Sequence, residues 1–160
     1  TPFALYEKYN YEQVCQLLEW PQNEVPLNIG GYKYHRDTKT YPLFINYHKD
    51  EGIQDSIKYE DRFETPTLLK AISKNNRSFT SDDVITAFDA DKLGVAMHLF
   101  MRKNKDDEES KEFYYLGSIH STGRENAEEI MMASDTKAVE LEYRLDIPVR
   151  DDIYDYLLNG

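Results

Sequence analysis

Apolar residues recur at helical spacing near the start of the chain, where Val14, Leu17 and Leu18 form one stripe. Asn10 stands at the capping position, and Gln13 three residues on completes a capping box. A helix is therefore predicted over Tyr11–Trp20, stopped by Pro21, which cannot continue it. Gly30-Gly31 then leads into an alternating pattern with Tyr32 and Tyr34 on one face. A polar turn, Arg36-Asp37-Thr38-Lys39-Thr40, separates that run from a second extended one, Tyr41–Tyr47, and the pair reads as a hairpin. Ser81 is a second N-cap candidate, with Asp82 and Asp83 favourable in a first turn and Val84, Ile85 and Phe88 directed inward.

Val95–Arg102 and Glu112–Ser118 read as strands joined by a charged loop, Asn104–Ser110. Ala138–Ile147 alternates again, and Ile153–Leu158 reads as a short closing helix. The expected fold is α+β, a curved, barrel-like sheet with helices at its margins. With 160 residues and no repeat, low-complexity tract or dividing linker, residues 1–160 form one domain around one core.

A formal charge of -11 argues against nonspecific nucleic-acid binding, which runs on phosphate neutralisation. The charge is unevenly placed, however. Lys33–Arg77 carries nine Lys/Arg against seven Asp/Glu, whereas the rest carries ten against twenty-three. One side of an otherwise acidic protein is thus suited to meet an anion.

A single cysteine, Cys15, forms no internal disulfide and sits among Val14, Leu17 and Leu18, as a buried thiol would. No apolar run approaches the length of a membrane span, and no signal peptide opens the chain. The first residue is Thr1, as in a piece of a longer protein, and a cytoplasmic location is expected.

His35, His48, His98 and His120 lie far apart and lack metal-ligand spacing. Walker A, GxGxxG and GxSxG patterns are absent. Glu109-Ser110-Lys111 matches a nuclease-like ExK pattern, but it lies in the charged loop rather than on adjoining strands around a cation. Hydrolysis of nucleotides or phosphodiesters is therefore not expected, nor is any cofactor.

Thirteen tyrosines are many for this length, and most fall at strand alternation, as sheet residues. Ser56–Arg77 differs from the rest. It sets Tyr59, Glu60, Asp61 and Phe63 against Ser73, Lys74, Asn75, Asn76 and Arg77. Rings that stack on a base, a carboxylate that accepts from an exocyclic amine and cations that meet phosphates are what a protein needs to hold an extruded nucleobase.

The series NIGGYKYH, PLFINYHK, SIKYEDRF, ISKNNRS, LFMRK and FYYLG, from Leu5 to Leu158, resembles the C-terminal domain of SauUSI-type type IV restriction enzymes. Those bacterial enzymes of antiphage defence carry a phospholipase-D-type nuclease and a superfamily 2 helicase ahead of it. The resemblance implies a non-catalytic reader of duplex DNA bearing 5-methylcytosine or 5-hydroxymethylcytosine, with the nuclease and helicase domains as its partners. It also implies an SRA-like (SRA/PUA-like) barrel that flips the modified base. Tyr59-Glu60-Asp61 looks like the SRA segment whose tyrosine stacks on that base, and Asp61 would accept from the cytosine N4 amine.

Two departures stand out. Arg62-Phe63-Glu64 follows where SRA domains have further Asp and Gly, and Ile72-Ser73-Lys74 replaces Tyr-Thr-Gly. The second stacking ring is open among Phe63, Tyr32, Tyr34 and Tyr47, with Ile29, Phe63 or Ile72 as apolar walls and Ser73 at the pocket. Lys33, His35, His48, Lys49, Lys74, Asn75, Asn76 and Arg77 would meet the DNA backbone or fill the gap in the duplex. An alternative is a docking module coupling helicase and nuclease parts, since Tyr-rich acidic surfaces also suit protein partners.

Overall fold

The computed structural model describes residues 1–47, 60–103 and 111–159. It opens with a two-residue strand, β1 (Lys8–Tyr9), and helix α1 (Tyr11–Leu17). Asn10 caps α1, its side chain accepting from the Gln13 N–H while Gln13 reaches back to the Asn10 N–H, so the predicted capping box is formed. The helix is shorter than predicted. It ends before Pro21, with Glu19 at a left-handed φ of 64°; Leu17 is exposed, whereas Val14 and Leu18 are buried.

Strands β2 (Thr40–Asn46), β3 (Arg62–Thr65) and β4 (Leu68–Ile72) precede helices α2 (Asp82–Phe88) and α3 (Ala90–Leu93). Then come β5 (Ala96–Arg102), β6 (Phe113–Ser121), β7 (Glu128–Met131), β8 (Lys137–Leu145) and helix α4 (Asp151–Asn159). The strand order is β2-β5-β6-β8-β4-β3, with β1 on β6 and β7 on β8. The α+β class with helices at the margins is as expected.

Pairing is antiparallel except between β2 and β5, which run parallel over the full length of both. The predicted hairpin contributes only two bridges to β2, Tyr32 to Leu43 and His35 to Thr40. Ser81 occupies the N-cap position of α2, but its hydroxyl accepts from the Ser78 N–H instead of capping the helix. Ile85 and Phe88 are half-buried, and only Val84 of the predicted inward trio is fully enclosed.

β6 joins two parts of the sheet. Up to Ser118 it pairs with β5, and from Ile119 onward with β8. The change falls two residues after Gly117, whose φ of +105° is costly for any residue with a Cβ. Among the described residues the sheet does not close through backbone hydrogen bonds. Its two edges still meet through side chains, since the Tyr47 hydroxyl just beyond β2 accepts from the Phe63 N–H of β3 at 3.0 Å and the two rings stack.

Side-chain alternation divides the core in two. Tyr41, Leu43 and Ile45 of β2 and Met97, Leu99 and Met101 of β5 face α2 and α4. Phe44 and Phe100 face α1, with Phe3, Phe113 and Tyr115. Both strands are therefore buried on both sides, which explains why they read as continuous apolar runs. Cys15 lies in the second cluster, where burial pushes its thiol up to about 11 and leaves it an unreactive packing residue.

His98 is buried beside Phe3 and hydrogen-bonded to the Tyr115 hydroxyl at 3.1 Å. Burial lowers its pKa from 6.5 to about 4. Between those values the unfolded chain takes up a proton that the native state refuses, so stability falls as pH drops from 6.5 towards 4. The expected loss between pH 7 and pH 5 is about 2 kcal/mol. Urea unfolding at the two pH values measures it, and His98→Gln should flatten the difference.

Candidate functional site

Three segments meet at one end of the sheet's inner face. Gly31, at φ +88°, turns the chain so that its carbonyl accepts from the Phe44 N–H, which places Tyr32 beside β2. The chain leaving β4 is pinned to β8, because Ser73 N–H donates to the Val139 carbonyl and Val139 N–H donates to the Ser73 hydroxyl. It then turns at Asn76, whose φ of 62° is one that asparagine tolerates. Arg77 N–H donates to the Lys137 carbonyl, which returns the chain towards α2 and Asp83.

Asp83 is the hub. Its Oδ2 accepts from the Tyr32 hydroxyl at 2.7 Å and from Arg77 Nε at 2.8 Å, and its carbonyl accepts from the Tyr41 hydroxyl at 2.9 Å. The Tyr32 hydroxyl also accepts from the Lys74 N–H, and Arg77 Nη1 donates to the Asn75 carbonyl. Lys74 Nζ lies 4.8 Å from the centre of the Tyr32 ring.

An open cleft of about 620 Å³ spreads over this network, lined by Tyr32, Lys33, Tyr34, Lys74, Arg77 and Asp83 among others. Beside Tyr32 lies a narrower, partly open pocket with room for about 20 Å³, bounded by Tyr32, Tyr41, Ile72, Ser73, Asp83 and Tyr143 among others.

Three cations, Lys33, Lys74 and Arg77, outnumber two carboxylates, Asp82 and Asp83, along the cleft, so its balance is slightly positive. Burial, then the fields of Arg77 and Lys33, lowers the Lys74 pKa. No carboxylate among the described residues pairs with Lys33 or Lys74. Burial pushes the Asp83 carboxyl up, but hydrogen bonds from Arg77 and Tyr32 outweigh it and hold it below the usual carboxylate range. Burial also raises the Tyr32, Tyr41 and Tyr143 phenols, which keeps them neutral.

The structure brings together several residues singled out in the sequence. Tyr32, Ile72 and Ser73 bound the cavity, while Lys33, Lys74, Asn76 and Arg77 line the cleft, with Asn75 in the same turn. Asp61 lies next to this group, its Oδ1 accepting from the Ile72 N–H at 2.8 Å. Tyr34 packs on Tyr41 at the cleft wall.

Other predicted residues fall elsewhere. Phe63 is buried against Tyr47 and Tyr154, so both belong to the seam between the sheet edges. His35 is buried on Trp20, bonded to Glu24 and Thr38 at 2.8 Å each. Ile29 is in the second core cluster with Phe44 and Phe100. Tyr59, His48 and Lys49 lie outside the described residues, as do Glu109 and Ser110 of the ExK pattern.

Asp83, Tyr41 and Tyr143 were not singled out as site residues by sequence reasoning. In sequence Asp83 reads as a first-turn residue of a helix, and the two tyrosines as sheet residues at strand alternation. No group of three or more His, Cys, Asp or Glu placed to hold a metal occurs among the described residues.

Solved structures share this architecture. The SRA domain of SUVH5 in complex with fully methylated CG DNA matches with a TM-score of 0.55 at 10% identity, over 91% of this chain and 90% of that one. The same domain bound to fully hydroxymethylated CG DNA gives 0.54 at 11% identity, again over 91% and 90%. KRYPTONITE in complex with mCHH DNA, an H3 peptide and SAH gives 0.58 at 8% identity, over 94% of this chain and 34% of that one. The fold is therefore SRA-like. No curated protein sequence matches the chain. A family model does match, over residues 3–157, and the chain belongs to that family, described as a domain of unknown function (DUF3427).

Proposed function

We infer that this chain binds duplex DNA containing 5-methylcytosine or 5-hydroxymethylcytosine and takes the modified base out of the stack. The observation that carries the reading is a cation-lined cleft on the inner face of an SRA-like fold, in a protein that is otherwise strongly acidic. Such a cleft suits one extruded nucleotide better than a long stretch of backbone. Tyr59 stacks on the base, Asp61 accepts from the N4 amine, and Tyr32, Ile72 and Ser73 complete the pocket, with Phe63 and Tyr47 bracing its seam. Lys33, Lys74, Asn75, Asn76 and Arg77 meet phosphates, joined by His48 and Lys49, and His35 supports the segment that carries Lys33. Extrusion costs a few kcal/mol, returned by stacking and by hydrogen bonds in the pocket.

The chain acts as the non-catalytic target-recognition domain of a modification-dependent, type IV restriction enzyme of the bacterial cytoplasm. Cleavage and ATP-driven movement reside in nuclease and helicase domains N-terminal to it. The test is a fluorescence-polarisation titration at fixed salt, using matched GC-rich duplexes with cytosine or 5-methylcytosine. Tighter binding of the methylated duplex is the expected result. Absence of binding to either, with the chain folded, would overturn the reading in favour of a module that docks a protein partner.

A further inference from the structure

Tyr32 and Asp83 line both the open cleft and the narrower cavity beside it, so they form the partition between them. The cavity walls are mostly apolar, with Leu43, Ala71, Val84 and Leu141 among them. Its 20 Å³ is enough for one water-sized group and far too little for a base. Asp83 is one of its lining residues, and one Asp83 atom is unsatisfied: Oδ1 is shielded from solvent and has no hydrogen-bond partner.

The other oxygen, Oδ2, is occupied by Arg77 and Tyr32, and the Tyr41 hydroxyl is spent on the Asp83 carbonyl. The bonds from Arg77 and Tyr32 outweigh burial and keep the carboxylate charged. Oδ1 is thus a buried charged acceptor beside mostly apolar walls, where a donor brought to it forms a strong bond and an apolar group leaves it unpaired.

A base lying in the cleft against Tyr32 presents its substituent at this partition. We propose that the cavity receives the 5-substituent of the flipped cytosine and that Asp83 Oδ1 accepts a hydrogen bond from its hydroxyl, making the chain selective for 5-hydroxymethylcytosine over 5-methylcytosine. The proposal rests on the base-extrusion reading above. The methylene takes the place a methyl would occupy, and the hydroxyl takes the water-sized space behind it. Access requires the Tyr32 side chain to turn, and its hydroxyl is held by the hydrogen bonds to Asp83 and from the Lys74 amide. One charge-assisted hydrogen bond in place of an unpaired acceptor corresponds to a preference on the order of ten- to a hundredfold.

Four matched duplexes, carrying cytosine, 5-methylcytosine, 5-hydroxymethylcytosine or 5-formylcytosine at one position, test this by fluorescence polarisation. The hydroxymethyl duplex should bind at least about tenfold tighter than the methyl one. The formyl group has the same reach but only accepts, so its duplex should bind no better than the methyl one. In Asp83→Ala the ratio of hydroxymethyl to methyl affinity should fall close to one, whatever happens to the two affinities separately. Equal binding of hydroxymethyl and methyl duplexes, both above cytosine, would overturn the assignment of Asp83 and leave the base-reading function standing. Formyl binding as tight as hydroxymethyl would overturn it too, by showing that size and not a donor is read. A chain that binds all four alike would overturn the base-reading function and this proposal with it.

Discussion

Replacing Lys33, Lys74 and Arg77 together by alanine is expected to weaken binding to methylated and unmethylated duplexes alike, on the order of a hundredfold at physiological salt. Each side chain stands on the wall of one cleft, and two of the three lack a carboxylate partner among the described residues. Their mutual repulsion is visible at Lys74, where Arg77 and Lys33 add to the effect of burial in disfavouring the charged form. Phosphate in the cleft would relieve that repulsion and release condensed counterions from the DNA. The log–log salt dependence should therefore become shallower by about 3 in slope, close to one for each lost contact. Lys8→Ala, on β1 and outside the cleft, should leave the slope unchanged. A loss confined to methylated duplexes would contradict the phosphate assignment, because backbone contacts carry no information about the base.

Phe100→Ala should cost about 3–5 kcal/mol of stability, the range for removing a large aromatic side chain from a packed core. Phe100 is fully buried, stacks on Phe44 at 5.0 Å and meets Phe3 and Tyr115 edge-on or tilted at 5.1 and 5.2 Å. No one neighbour can collapse into the space, since each ring is held by the others. Its cluster lies on the α1 side of the sheet, whereas the cleft opens on the α2 side. Urea unfolding should show the full loss, while DNA affinity measured where the variant is folded should change little. A large loss of affinity in a folded variant would mean that the two faces are coupled through β2 and β5.

Some features were legible because they are settled within a few residues. The Asn10–Gln13 capping box, the turn signalled by Gly30-Gly31 and the strand patterns of β5, β6 and β8 all depend on near neighbours. The strand β7 was missed because its exposed positions are Glu128, Glu129 and Met131 and only Ile130 is buried. The β3–β4 hairpin is hidden in the sequence because Arg62–Thr65 buries only Phe63 and so shows no alternation. The hairpin expected around Arg36–Thr40 was read correctly as a reversal, but β2 finds its full-length partner in β5, more than fifty residues away. Alternation tells which face of a strand is buried, and is silent about which strand lies beside it.

The candidate site divides in the same way. Clustering of Ser73, Lys74, Asn76 and Arg77 in one turn, and a charge balance that favours an anion there, follow from the order of residues alone. Only the folded chain makes Asp83 part of that site, by setting its carboxylate against a tyrosine fifty-one positions earlier. In sequence, an aspartate in the first turn of a helix is already accounted for by the helix itself. Its second role arises from burial and from partners supplied by β2 and the β4–α2 turn, and those are set by how the sheet packs against α2. Local order thus determined the caps, the strand faces and the basic turn. Packing decided strand neighbours, the cavity and the unsatisfied oxygen, because each depends on atoms that meet only after distant segments have been brought together.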